Sequence, residues 1–316
     1  MKPAWTAGVT RARLLLSRTI GAGLAGRVAA SPSLADGLAA LAGSAYGERV
    51  RAGQDLAAAQ RGVADTLLWH LRILAGWLPA GGAALMRALA GWFELANIDA
   101  RLAALATGGR EPPAFALGTL ATAWPAAERA RTIEELAGVL ARSSWDVPRG
   151  RVPAEVAIGL RVAWGRRVRD SAPHARDWVE GAGALLVARE LLVARTREHS
   201  EQLLRYPGID DRALAADTLA ELRAALSPGA SWVLDAVSEP TELWRSELAW
   251  WERVEDDAHS LLRHMDDEPS VLAAVALLAV DAQRTARALQ SAAQGTVAAA
   301  TEIFRGNRME PFDGAV

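Results

Sequence analysis

Apolar positions along this chain recur mostly at three- and four-residue intervals, the spacing that puts side chains on one face of an α-helix. Residues 10–29, "TRARLLLSRTIGAGLAGRVA", predict one helix, weakened by three glycines. Leu34, Leu38 and Leu41 predict a short helix with Ser31 or Ser33 as its cap. Longer helices are predicted over 50–76 and 83–107, the second stopped by Gly108-Gly109. Thr132 and Glu135 have capping-box spacing and predict a helix start. Further helices are expected over 153–169, 174–204, 211–226, along "TELWRSELAWWERVEDDAHSLLRHM", and over 270–293. Strict alternation is short-lived and β-branched residues are sparse, so the fold class expected is all-α.

The order of elements repeats. "SLADGLAALAGSAYGE" and "TIEELAGVLARSSWDV" each read as a leucine-spaced helix, small hydroxyl residues and one aromatic, Tyr46 or Trp145. "LAELRAALSPGASW" ends likewise on Trp232. Each phrase is followed by a long helix, a Pro/Gly break and an Ala/Leu-rich closing helix. This predicts three diverged repeats, 1–112, 113–205 and 206–316, each burying its apolar stripe against its neighbours.

Composition narrows the chemistry. The chain has 316 residues, no Cys and a formal net charge of -2. Thiol chemistry is excluded, and the near-neutral charge argues against general nucleic-acid binding. The best apolar run, "VLAAVALLAV", is ten residues long and too short to span a bilayer. Arg11, Arg13, Arg18 and Arg27 interrupt the N-terminal apolar stretch, so a cytoplasmic location is expected. "GAGLAG" lacks the preceding strand of a dinucleotide fingerprint, and no GxxxxGK[ST] loop occurs. No cofactor, metal site or catalytic residue is predicted. The acids at 252, 255–257 and 266–268 and the arginines at 161, 166, 167 and 169 form opposite patches suited to docking.

The closing helix of the first third, Phe93-Glu94-Leu95-Ala96-Asn97-Ile98-Asp99-Ala100-Arg101, resembles the aromatic-acid-aliphatic-x-Asn helix of a known family. That family is the C-type central-stalk subunit of the V-type (A/V-type) rotary ATPases, similar to the eukaryotic d-type subunit. The likeness covers nearly the whole chain. This sequence departs from the family pattern at Asp99, where a basic residue is typical. The middle copy, Trp178-Val179-Glu180-Gly181-Ala182, lacks the Asn, and Leu278 to Arg284 keeps only a polar helix. The resemblance implies three helical bundles with pseudo-three-fold symmetry, shaped as a funnel or socket. It implies a non-catalytic component, no enzyme itself, that couples the shaft subunits to the membrane proteolipid ring. Location would be cytoplasmic, peripheral on the inner face of the membrane and indirect through the ring.

Among individual residues, Asn97 is the first choice for a structural role, since a buried Asn must be hydrogen-bonded. Glu94 and Arg101 share its face, and Arg101 is placed to meet Asn97. Tyr46, Phe93, Trp145, Trp178, Trp232, Trp250 and Trp251 complete the structural or interface candidates. Most tryptophans, Trp77 included, are expected in the core; of Trp250 and Trp251, one is expected to be more exposed. Three alternatives stand beside the family reading: a helical scaffold or adaptor outside a rotary machine, a helical enzyme using Asp256-Asp257 and Asp266-Asp267, and a membrane-surface binder.

Overall fold

The computed structural model describes residues 2–147, 150 and 152–295. The last residues of the third repeat, 296–316, lie outside the described residues. Among those described, every regular element is helical. In chain order the α-helices are α1 (Pro3–Leu16), α2 (Gly21–Ala29), α3 (Leu34–Leu41), α4 (Leu56–Trp77), α5 (Ala80–Leu89), α6 (Gly91–Thr107), α7 (Trp124–Ala127) and α8 (Ile133–Arg142). There follow α9 (Pro153–Ser171), α10 (Arg176–Ala188), α11 (Ser200–Leu203), α12 (Asp211–Leu214), α13 (Leu219–Ala225), α14 (Pro228–Ser231), α15 (Leu243–His264) and α16 (Glu268–Gln294). None of them is long and apolar enough to cross a membrane.

The chain forms two compact units, one from residues 2–83 with 251–295 and one from 84–250. Unit 1 is built on α16, which packs against α1, α2, α3 and α4. Its run Val271 to Leu278 is buried on every side, which is why "VLAAVALLAV" carries no polar face. Val28, Leu38, Leu41, Tyr46, Val63 and Leu289 share one apolar cluster. In unit 2, α6 packs on α7, α8 and α9, while α10 packs on α9 and α14.

Several predicted helices are broken. The expected helix over 10–29 divides between α1 and α2, where Gly21 takes a left-handed φ of 62°. The helix expected over 83–107 is interrupted at Ala90. The one expected over 174–204 ends at Ala188, passes through a π-helical turn, Arg189–Val193, and leaves at Arg195, φ 54°. The one expected over 211–226 divides because Thr218 starts a new helix: its side chain accepts from Glu221 N and Glu221 returns a bond to Thr218 N, a full capping box.

The caps of the three short repeat helices are alike. Ser33 accepts from Asp36 N, Thr132 from Glu135 N, and Thr218 from Glu221 N. In the first two repeats the far end also matches. Ser44 Oγ donates to Leu41 O and accepts from Tyr46 N; Ser143 Oγ donates to Leu140 O and accepts from Trp145 N. The repeated phrase is therefore a repeated local hydrogen-bond pattern that sets down an aromatic two residues after a serine.

Candidate functional site: three buried-acid clasps

Each closing helix carries one buried acid: Glu94 on α6, Glu180 on α10 and Asp281 on α16, all 1–3% exposed. A buried carboxyl group must be matched by donors. In all three cases donors come from a segment distant along the chain.

Glu94 is the most heavily bonded. Its Oε1 accepts from the backbone N–H groups of Thr122, Ala123 and Trp124, each at 2.7 Å. These lie at the start of α7, where N–H groups lack intrahelical partners and the helix dipole favours negative charge. Its Oε2 accepts from the Thr122 hydroxyl and from Trp145 Nε1, the latter at 3.0 Å. Every partner donates, which suits the acceptor-only inventory of a carboxylate. Arg167 lies over the Trp145 ring at 4.6 Å. Burial lowers the pKa of this guanidinium, and the nearby Glu94 offsets part of that.

The same face of α6 holds the rest of the connector to α8. Asn97 is 3% exposed and bonds Phe115 both ways, Nδ2 donating to Phe115 O at 3.0 Å and Oδ1 accepting from Phe115 N at 2.6 Å. Phe93 meets Phe115 edge to face, centroids 5.1 Å apart. Arg101 does not meet Asn97. It forms an ion pair with Glu111 at 2.9 Å and donates to Ala130 O. The backbone carbonyl and Glu111 supply a better fork for a guanidinium than one amide oxygen already bonded elsewhere. Glu94, Asn97 and Arg101 thus fasten three successive parts of one connector, 111–130.

Asp281 repeats the arrangement in unit 1. It accepts from Ile20 N at 3.2 Å, Gly21 N at 2.9 Å and the Tyr46 hydroxyl at 2.9 Å. Ile20 and Gly21 open α2 as Thr122 to Trp124 open α7, and Tyr46 stands where Trp145 stands. Burial, and then the neighbouring Asp281, push the Tyr46 phenol well above its ordinary pKa, so it remains a donor.

Glu180 has the same placement and different partners. Arg176, one turn earlier, bonds it at 2.8 Å, and Ser227 Oγ donates at 3.2 Å. The chain passes closely at Gly208, whose φ is 84°: a Cβ there would lie 3.1 Å from Glu180 Cγ. Trp232 does not reach the acid. Its Nε1 donates to Gly229 O at 3.0 Å. Trp250 Nε1 donates to Trp178 O at 2.8 Å, so Trp178, Trp232 and Trp250 gather around α10.

Trp250 and Trp251 are both half-buried. Trp77 is 54% exposed at the C-terminal end of α4, against the expectation of a core position. The charged patches are partly paired within the chain. Arg161 pairs with Asp99 at 2.9 Å, and Arg284 holds both oxygens of Glu255. No group of three His, Cys, Asp or Glu side chains able to hold a metal occurs among the described residues.

Reading the residues alone put Asn97 ahead of Glu94 and missed Glu180, Asp281 and Thr122 as partners. A signal for Asp281 was present: one acid ending a ten-residue apolar run is a buried charge in need of donors. No family model matches the sequence, and no curated protein matches it.

Proposed function

We propose that this chain is a helical scaffold whose work is done by its surfaces rather than by a reaction of its own. The observation that carries this reading is the recurrence of the clasp. Three buried acids stand on three closing helices, each fastening the opening part of another repeat. The first third's Glu94 holds the second third, Glu180 holds the third, and Asp281 returns to the first. Fixed helix ends and filled acceptors suit a stiff body that carries load. In Glu94 and Asp281 the acid's acceptors are engaged by protein donors, which suits a structural role better than proton transfer.

The specific form we propose is the one the sequence resembles: three related bundles in pseudo-three-fold arrangement, acting as the socket between the shaft subunits and the proteolipid ring of a V/A-type rotary ATPase. Cyclic order of the clasps is what three-fold relatedness would require. The experiment is a mild-detergent pulldown of the tagged chain from native membranes. Recovery with a proteolipid ring and shaft subunits supports the rotary role. Recovery with other partners and neither of these overturns it and leaves a scaffold outside a rotary machine.

A further inference from the structure

Unit 1 holds a cavity of about 680 Å³ between the α1–α2 connection, α2, the α3–α4 connection and α4. Its lining includes three guanidinium groups, Arg18, Arg27 and Arg49, with Trp69 and His70. Glu48 is the one acid of the lining. Its side chain is 82% exposed and 3.8 Å from Arg49, a contact largely screened by water. Among the described residues neither Arg18 nor Arg27 has a carboxylate within 4 Å, and Arg27 bonds Gly23 O of its own helix, at 3.4 Å. The cavity therefore carries an excess of positive charge inside a chain whose net charge is -2.

We propose that this cavity binds a phosphate group, carried by a small molecule or by a lipid headgroup. Arginine matches phosphate oxygens through its planar fork of donors, and several arginines together favour a multiply charged anion over a single carboxylate. The volume is that of a ligand pocket and leaves room for an organic part beside the phosphate. Trp69 offers a ring to that part, its plane already approached by Arg49 at 5.6 Å. His70 is buried, and burial together with Arg18, Arg49 and Arg11 lowers its pKa to about 4. It is neutral near pH 7 and free to hydrogen-bond without adding charge. The wall is held in shape by the Asp281 clasp, because Ile20 lines the cavity and gives its N–H to Asp281. This site would exist whether or not the chain serves a rotary machine.

The test is calorimetric titration of the full chain with inorganic pyrophosphate, beside flotation with phosphatidylcholine vesicles with and without phosphatidic acid. Saturable pyrophosphate binding is expected, weakening as ionic strength rises. The double variant Arg18→Ala/Arg27→Ala should weaken it about tenfold or more. The charge-matched control Arg205→Ala/Arg223→Ala, in unit 2, should leave it unchanged. Arg27→Glu, a single surface change, serves as an independent variant, and circular dichroism checks the folding of each. Flotation with phosphatidic acid alone, lost in the same variants, would assign the phosphate to a headgroup. No binding to either probe, or equal binding by the cavity variants and the control, overturns the proposal.

Discussion

Glu94 and Glu180 occupy matching places on two closing helices, both are buried, and both fasten a following segment. Their partners differ in kind. Glu94 takes three backbone N–H groups and a hydroxyl from the connector, and an indole N–H from Trp145 beyond it. Glu180 takes an arginine whose side chain is 62% exposed and one serine. The comparison teaches that a buried acid in the same place on a helix can be satisfied by different kinds of donor. It also predicts that identical substitutions will have unequal costs, because an orphaned buried N–H is expensive and an exposed guanidinium simply returns to water.

The largest effect is expected at Glu94. Glu94→Gln leaves one oxygen for the three backbone N–H groups but puts an amide nitrogen against the Trp145 indole N–H, which can only donate, and about 3–5 kcal/mol of unit 2's stability should be lost in denaturant unfolding. A cost under ~1 kcal/mol would break the comparison. Next comes the acid response of unit 1. His70 has a folded pKa of about 4 against an ordinary 6.5, so the unfolded chain binds its proton first as pH falls. The stability linked to it is complete above pH 6.5 and is lost as pH drops to about 4, a change of about 3 kcal/mol. His70→Gln should remove that slope; an unaltered pH profile would show that His70 is not its source.

Smaller effects sharpen the contrast. Tyr46→Phe removes one donor from Asp281 and leaves the two backbone bonds, so about 1.5–2 kcal/mol is expected from thermal unfolding of the variant. Glu180→Gln keeps an acceptor for Ser227 and should cost about 1 kcal/mol. If it matches Glu94→Gln, the two clasps are energetically equivalent despite their different donors. Ser33→Ala, Thr132→Ala and Thr218→Ala each remove one local cap and should cost about 1 kcal/mol apiece. Similar values across the three would show that the caps, unlike the clasps, have kept one chemistry.

Much of the architecture was legible in the residues. Helical spacing predicted an all-α chain, and the aromatic-ending phrase showed itself in Tyr46 and Trp145. Asn97 was legible because a polar side chain amid apolar neighbours demands a partner. What escaped was direction. Arg101 had a neighbour four residues away on its own helix, yet it pairs with Glu111 and the carbonyl of Ala130. Trp77 has the character of a core residue and lies 54% exposed at a helix end. The helix expected over 10–29 was broken by Asp281, an acid about 260 residues away that competes for the N–H groups of Ile20 and Gly21.

The sequence by itself determined the helical class and the caps at Ser33 and Thr132, because a cap needs only a hydroxyl and an N–H three residues apart. The cap-to-aromatic phrase was also legible, because it is contained within about fourteen residues. Only the tertiary structure decided which acid each phrase would meet. A carboxyl group's preference for one set of donors over water takes effect when both are buried together, and burial is a property of packed elements rather than of neighbours along the chain.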